Sequence, residues 1–277
     1  MIVFPNAKIN IGLDVLNRRS DGYHDISTVM MPIPWCDVLE IVISDGDRDH
    51  LSISGRSIDC PPDKNLVMKA VALMRNYAGF PSVNIFLHKV IPDGAGLGGG
   101  SADAAFALKT INEMFLLGFS DELLAGMASS LGADCPFFIY NRPMLCEGTG
   151  TTLSPINLVL PENLWVIVVK PPVAVSTKDA YAGVAPCVPA LKLPELLTTH
   201  TVDQWQGKVK NDFEKSVFIK YPEIKSVKDN LIDMGAVYSA MSGSGSSVFG
   251  LFYGDILTDS LSAKFTGCDI FVKKLFS

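Results

Sequence analysis

Five glycines fall within the seven residues Gly94–Gly100, inside the run Pro92-Asp93-Gly94-Ala95-Gly96-Leu97-Gly98-Gly99-Gly100-Ser101-Ala102. Glycine loses more conformational entropy on folding than any other residue, so such a run weakens a fold unless the backbone needs its freedom there. A backbone that curls around an oxyanion and presents several N–H groups to it has that need. The strand predicted over Ser82–Val90, with Val83, Ile85 and Leu87 on one face, feeds the run, and a helix predicted from about Ser101 to Leu117 points its positive end at the same place. A loop of this kind holds a polyphosphate without many cationic side chains. Gly94-x-Gly96-x-x-Gly99 also fits a dinucleotide-binding fingerprint. However, two residues separate its last glycine from the inferred helix, and Asp121, at about the spacing of a ribose-binding carboxylate, lies at a helix start rather than a strand end. A Walker loop needs a closing Gly-Lys-Ser/Thr, which is missing here. A purely structural glycine turn stays open at this point.

The rest of the chain reads as mixed α and β. Ala7–Leu16 alternates as a strand with Ile9, Ile11, Leu13 and Val15 on one face, and Asn17–Gly22 has turn chemistry. Val38–Ser44 and Leu51–Ser54 read as short strands, Asn65–Tyr77 as a helix, and a further helix follows the N-cap Ser120 with Asp121 and Glu122 in its first turn. Pro136–Tyr140 and Met144–Glu147 are predicted as strands, and the turn Gly148–Ser154 as a boundary between domains 1–150 and 151–277. Beyond it, Trp165–Val169, Val237–Met241, Ser247–Phe252 and Asp269–Lys273 read as strands, Pro222–Met234 as a helix and Ala185–Leu197 as irregular. This is an α+β chain with a smaller second domain.

Bulk properties narrow the function. With 277 residues, 48% apolar and 19% charged, the chain can bury a sizeable core. A formal charge of −6 and the lack of a basic run argue against nucleic acid as partner. No apolar stretch reaches the roughly 18 residues of a membrane span, and the start has no leader pattern. None of the six cysteines forms a C-x-x-C pair, which points away from zinc and thiol-redox motifs and toward reduced thiols in the cytoplasm. A small molecule is therefore the expected partner, with no obligate protein partner evident.

The segment Pro92–Ala105 resembles the GHMP kinases, whose signature is a Pro-x-x-x-Gly-Leu-Gly-Gly/Ser-Ser loop. Other segments, in the same order, are similar to one branch of them, the kinases of 4-diphosphocytidyl-2-C-methyl-D-erythritol. These are Ala7-Lys8-Ile9-Asn10-Ile11, Arg19-Ser20-Asp21-Gly22-Tyr23-His24, Leu131-Gly132-Ala133-Asp134-Cys135-Pro136-Phe137-Phe138, Asn211-Asp212-Phe213-Glu214 and Met241-Ser242-Gly243-Ser244-Gly245-Ser246. The resemblance spans nearly the whole chain. It implies a two-domain GHMP kinase fold, with a ribosomal S5 domain 2-like N-terminal domain and a ferredoxin-like C-terminal domain. ATP and substrate are then expected in the cleft between domains. It also implies transfer of the γ-phosphoryl group of ATP, with a divalent ion (normally Mg²⁺), to a hydroxyl of a nucleotide-linked sugar alcohol. Within the family a mevalonate or homoserine kinase is the alternative. Outside it stand an NAD-binding oxidoreductase and an inactive binding module, and intact Lys8 and Asp134 speak against the latter.

Each candidate residue also has a plainer reading. Asp134 is either a catalytic carboxylate that accepts the substrate hydroxyl proton or an ordinary N-cap or turn aspartate. Lys8, among apolar strand neighbours, is either a solvated strand residue or a cation aimed into a pocket. The resemblance implies that it lies beside Asp134, where its charge would keep the carboxylate ionised and offset charge on the phosphoryl group. Asn10 shares a side of the strand with Lys8 and is expected to meet the substrate's hydroxyls, unless it caps a turn. The resemblance implies that His24 hydrogen-bonds cytosine and that Tyr23 and Tyr181 take the base's two faces, although Tyr181 fits a core role nearly as well. Asn65 and Lys89 are adenosine-side candidates, or else a helix cap and a solvated lysine. The run Pro92 to Ala102 is the ATP loop, with Asp93 expected to face solvent. Ser101 meets a phosphate or caps the helix. Gly243, Ser244 and Gly245 are expected to contact a phosphate through accessible amides, as an alternative to a plain hairpin turn.

Overall fold

In a computed structural model describing residues 1–58, 60–61, 64–254 and 261–276, the chain opens with strands β1 (Ile2–Val3) and β2 (Asn6–Arg18). β2 covers the predicted strand but is not half-solvated. From Asn6 to Leu13 every residue is buried, so the alternation marks two covered faces, and the polar residues Asn6, Lys8 and Asn10 are inside. β3 (His24–Cys36) follows; Met30-Met31-Pro32-Ile33-Pro34 masks its period 2, and no strand was expected there.

Two compact units emerge, each drawing on several stretches of sequence. The first comprises Met1–Lys8, Trp35–Asp93 and Gly98–Arg142. Its sheet takes β1 and adds β4 (Val38–Ile43), β5 (His50–Gly55) and β6 (Val83–Lys89), in the order β1-β4-β6-β5. β4 runs antiparallel to β6 with Ile41 opposite Ile85, whereas β5 runs parallel to β6 with Leu51 opposite Ile85. A parallel pair needs a crossover, and helix α1 (Leu66–Arg75) supplies it. Leu39, Ile41, Ile85 and Leu87 are buried, and α2 (Gly99–Met114) packs against β4, α1, α3 (Asp121–Ser129) and α4 (Cys135–Tyr140). Ser120 caps α3 as expected, its Oγ accepting from the Leu123 amide at 3.3 Å.

The sequence reading of Pro136–Tyr140 as a strand is overturned: it is helix α4, with Pro136 in its first turn. Cys135, Phe137, Phe138 and Ile139 are all fully buried, and a short run covered on every side carries no period to distinguish strand from helix. α2 begins at Gly99, two residues earlier than expected, after the left-handed Gly98 (φ 73°). One objection to a dinucleotide fingerprint, the gap between its last glycine and the helix, therefore disappears.

The second unit comprises Ile9–Pro34, Gly94–Leu97 and Pro143–Ser277. One of its sheets joins β3 to β7 (Met144–Gly148) and β7 to β8 (Thr152–Pro155); β8 lies where only a turn was expected. The other has the order β10-β11-β9-β12, from β9 (Leu164–Lys170), β10 (Tyr238–Met241), β11 (Val248–Tyr253) and β12 (Asp269–Lys274), all antiparallel. Between β9 and β10 lie helices α5 (Thr177–Ala182), α6 (Leu193–Thr199), α7 (Glu214–Lys220) and α8 (Pro222–Asp233), and α9 (Leu261–Lys264) precedes β12. α6 falls at the end of the stretch read as irregular. Its buried Leu193 and Leu197 are i, i+4 neighbours that the surrounding prolines obscured.

Candidate active site

Lys8 lies near the start of β2, and Asp134 at the short junction between α3 and α4. Lys8 Nζ stands 3.3 Å from Asp134 Oδ2, so the structure brings the two expected catalytic residues together. The lysine side chain is 4% exposed and the carboxylate 32%, so the cation is inside and its partner opens to solvent. The plainer reading of Lys8 fails, and that of Asp134 holds for its position only. Lys8 is not solvated, and Asp134, although it occupies the N-cap position of α4, makes no side-chain capping bond. Gly98 turns over this pair: a Cβ there would come within 2.8 Å of the Phe138 ring and 3.2 Å of Lys8 Cγ. Cys135, next to Asp134, is buried with its thiol pushed up to about 11, chiefly by burial, so it is no nucleophile.

The glycine run bends through three left-handed residues, Gly94 (φ 59°), Gly96 (φ 74°) and Gly98 (φ 73°). Side-chain-bearing residues avoid that region, which is where the run's entropic cost is justified. α2 then starts with Gly99, Gly100 and Ser101, whose first-turn amides have no carbonyl one turn back to serve. A 16-residue helix ending in such amides suits an anion. Ser101 is the third residue of α2, not its cap. Pro92, Ala95, Leu97 and Ala102 are buried, and Asp93 is exposed as expected.

Lys89 is not the solvated lysine of the plainer reading: it is buried in an ion-paired cluster. Its Nζ donates to Asp37 Oδ2 and, at 2.7 Å, to Asp103 Oδ2, with all three side chains at most 4% exposed. Burial opposes the lysine's charge, but Asp103 and Asp37 outweigh it and hold Lys89 above its usual range. Asp37 Oδ1 accepts from the amides of Val90 (2.5 Å) and Ile91 (2.8 Å), which pins the chain just before the glycine run. Neither aspartate was singled out in the sequence. The signal was Lys89 itself, which continues the buried face Val83, Ile85, Leu87 at period 2. Asn65 caps α1, its Oδ1 accepting from the Val67 amide at 2.9 Å. It also lines, with Lys89, Asp93, Gly100 and Asp103, a cavity of about 200 Å³.

In the second unit Asn10 is buried, and Nδ2 donates to Thr28 Oγ1 at 3.0 Å while its amide donates to Ser242 Oγ at 3.3 Å. Its side chain is thus engaged within the protein, bridging Thr28 and the Ser242 loop. The hairpin loop between β10 and β11 holds the first glycines: Ser242 Oγ donates to the Gly96 carbonyl (2.8 Å) and the Ser247 amide to the Ala95 carbonyl (3.2 Å). A Cβ on Gly96 would fall 2.1 Å from the Ser242 carbonyl oxygen. Gly243, Ser244 and Gly245 form the tip, with Gly243 (φ 55°) and Gly245 (φ 90°) left-handed. Asn211 Nδ2 donates to the Met241 and Gly243 carbonyls, both at 2.8 Å. His24, not Tyr23, stacks on Tyr181, with ring centroids 4.9 Å apart and 19° between planes, and Tyr181 also meets Phe213 edge-on at 4.8 Å. Tyr23 is 67% exposed. Rings 4.9 Å apart leave no room for a base between His24 and Tyr181 as they stand.

Comparison with known proteins agrees with this geometry. Residues 65–142 match the GHMP kinases N terminal domain and residues 193–265 the GHMP kinases C terminal domain. The fold is shared widely: a homoserine kinase from Cytophaga hutchinsonii superposes with a TM-score of 0.71 at 20% identity, covering 98% of this chain and 94% of its own. A crystal structure of 4-(cytidine 5'-diphospho)-2C-methyl-D-erythritol kinase superposes with a TM-score of 0.80 at 32% identity over 98% of both chains. The 4-diphosphocytidyl-2-C-methyl-D-erythritol kinases of Parabacteroides distasonis and Bacteroides fragilis are each 50% identical, over 91% of this chain and 92% of theirs. The chain belongs to the GHMP kinases and, within them, to the 4-diphosphocytidyl-2-C-methyl-D-erythritol kinase family.

Proposed function

We propose that this chain transfers the γ-phosphoryl group of ATP to the 2-hydroxyl of 4-diphosphocytidyl-2-C-methyl-D-erythritol, a step of the non-mevalonate route to isoprenoid precursors. The observation that carries the reading is the Lys8–Asp134 pair, 3.3 Å apart, with Gly98 turning over the lysine stem just before α2 begins. In this reading the first-turn amides of α2 and the left-handed glycines hold the polyphosphate. Asp134, open to solvent, orients the acceptor hydroxyl and takes its proton as the phosphoryl group leaves. Lys8 supplies fixed positive charge where the transferring group passes. A loose transition state needs little early proton transfer, so aiming the hydroxyl is the pair's larger task.

Mg²⁺ belongs to the reading as an ion carried on the triphosphate, held mainly by phosphate oxygens and water, as hard divalent ions are in kinases. It supplies neutralisation of the developing phosphate charge. His24 and Tyr181 form the cytosine-side surface, with the base stacking on an outer ring face or displacing His24. Gly243, Ser244 and Gly245 offer amides to a phosphate. The free thiols of the six cysteines suit a cytoplasmic enzyme, and among the described residues no helix is long and apolar enough to cross a membrane.

The test is ADP release with the cytidyl-linked methylerythritol, mevalonate and homoserine as acceptors. Turnover is expected with the first alone. Turnover with mevalonate or homoserine alone would overturn the substrate and leave the kinase standing.

A further inference from the structure

The motif Asn211-Asp212-Phe213-Glu214 gives each of its four side chains a fixed target. Asp212 Oδ2 accepts from the Val15 amide at 2.7 Å and the Asp212 amide donates to the Leu13 carbonyl at 2.9 Å, which ties the motif to β2. Phe213 is buried and meets Tyr181 edge-on. Glu214 Oε1 accepts from the Met241 amide at 2.8 Å, while its Oε2 accepts from Lys228 Nζ at 2.6 Å. Asn211, 2% exposed, engages both of its polar atoms. Nδ2 donates to the carbonyls of Met241 and Gly243 in the β10–β11 loop, both at 2.8 Å, and Oδ1 accepts from the Phe213 amide at 3.0 Å.

Holding a carbonyl also sets a donor. In a trans peptide the C=O of one residue and the N–H of the next lie in one plane and point opposite ways. By holding the Gly243 carbonyl, Asn211 therefore turns the Ser244 N–H away from its own side chain. The Ser242 carbonyl takes the Gly245 amide at 3.0 Å, which does the same for the Gly243 N–H. The amides of Gly243 and Ser244 make no hydrogen bond among the described residues, and both residues are only half-buried. Two successive amides facing outward at a left-handed glycine (Gly243, φ 55°) have the form of an anion-binding nest.

We propose that Asn211 is a positioning residue for phosphate binding: its grip on the Gly243 carbonyl aims the Ser244 amide, with the Gly243 amide beside it, at a phosphate oxygen. This rests on the kinase reading above, which brings two phosphate-bearing ligands to the protein, the cytidyl substrate and ATP. Asn211 touches neither of them and acts through the loop. Asparagine suits the place because its short side chain carries two hydrogens on one atom and an acceptor beside them.

Asn211→Asp keeps the shape and the acceptor for the Phe213 amide but has no hydrogen for either carbonyl. Oxygen then faces oxygen, and the Gly243 peptide turns its carbonyl outward. Asn211→Ala releases the two carbonyls without repelling them. Calorimetry on the full chain compares CDP with cytidine and ATP with ADP, pairs that differ only in phosphate. In Asn211→Asp one ratio of affinities is expected to fall about 10- to 100-fold, the scale of a hydrogen bond to a charged group. A fall in the CDP-to-cytidine ratio assigns the nest to the substrate's diphosphate, and a fall in the ATP-to-ADP ratio assigns it to the γ-phosphate. Asn211→Ala should lose less, and cytidine alone should bind all three proteins alike. A merely structural asparagine would lower Tm in both variants and leave both ratios alone. Both ratios within about threefold of wild type in a folded Asn211→Asp would overturn the assignment. Should neither variant fold, amide hydrogen exchange of the wild type decides: the Gly243 and Ser244 amides are expected to slow at least about tenfold with saturating CDP or ATP. No slowing with either ligand would overturn the assignment equally. A ratio that falls in Asn211→Asp, while wild type fails to phosphorylate the cytidyl substrate, would sink the proposed function and leave this assignment standing.

Discussion

Replacing Lys8 with methionine separates chemistry from stability more cleanly than any other change in this site. The lysine stem passes 3.2 Å from the position a Gly98 Cβ would take, and its ammonium ends 3.3 Å from Asp134. Methionine is unbranched as far as that contact, so it keeps the packing and removes the charge. Loss of one preorganised cationic or hydrogen-bonding group from a transition state costs about 2.7–4 kcal/mol, and each 1.36 kcal/mol is tenfold in rate. Lys8→Met is thus expected to lower kcat about 10²- to 10³-fold. KM for ATP should change little, because the α2 amides, not Lys8, hold the ground-state phosphates in this reading.

Stability should behave differently. Breaking a fully buried ion pair by removing one partner destabilises by about 3–5 kcal/mol, because a charge is stranded inside. Here the stranded group would be Asp134, which at 32% exposure keeps water, while the desolvated ammonium at 4% is removed along with its own burial cost. The two effects oppose each other, and urea unfolding is expected to shift by no more than about 1 kcal/mol. Steady-state kinetics and urea titration of the same preparation decide the matter. A fall in kcat of less than tenfold in a folded variant refutes the electrostatic role. A loss of 3 kcal/mol or more in unfolding free energy refutes the claim that solvent sustains Asp134 alone.

Lys89→Met has the opposite expectation: Asp37 and Asp103 are both buried, so two carboxylates lose their cation and unfolding free energy falls by about 3–5 kcal/mol in urea titration. Tyr181→Ala removes the stacking partner of His24 and should raise KM for the cytidyl substrate roughly 10- to 100-fold, with KM for ATP unmoved in initial-rate assays. Asp14 is pushed from 3.8 to about 6, by burial first and then by Asp212, so its native form keeps a proton that the unfolded chain releases, and its contribution to stability is lost as pH rises through 6. Asp14→Asn should therefore raise Tm relative to wild type more at pH 8 than at pH 5, as read by thermal melts across pH.

The elements read most surely from the sequence are those whose physical signal is local. The glycine run declares itself by its entropic cost, and the structure places left-handed backbone at Gly94, Gly96 and Gly98. β6 declares itself by Val83, Ile85 and Leu87. What local pattern does not carry is which face has water. The polar positions of β2 look solvent-facing in a strand that alternates, yet Lys8 and Asn10 are buried because both faces are covered. The pairing of Lys8 with Asp134 came only from the resemblance, since nothing in spacing relates residues so distant in the chain. α4 looks like a strand in the sequence because Phe137, Phe138 and Ile139 are covered on all sides, which removes the periodicity that separates helix from strand. Asp37 and Asp103 carry no sequence signal for a related reason: a buried charge looks like any surface charge until its partner is known.

Two buried lysines in one unit have different surroundings, and the difference lies in their carboxylate partners. Lys89 faces two aspartates that are themselves enclosed, one of which ties down the amides of Val90 and Ile91, so its charge is consumed in holding the entrance to the glycine run. Lys8 pairs with an aspartate that water can reach, and an aspartate reached by water can also be reached by a substrate hydroxyl. Burial of the cation gives its field strength, because fewer water dipoles screen it. Exposure of the anion gives that field somewhere to act. An arrangement with both partners sealed makes a rivet, and one with both exposed makes a screened surface pair of little consequence. Only the asymmetric pair combines a strong fixed charge with an open reacting position, and Lys8–Asp134 has that asymmetry.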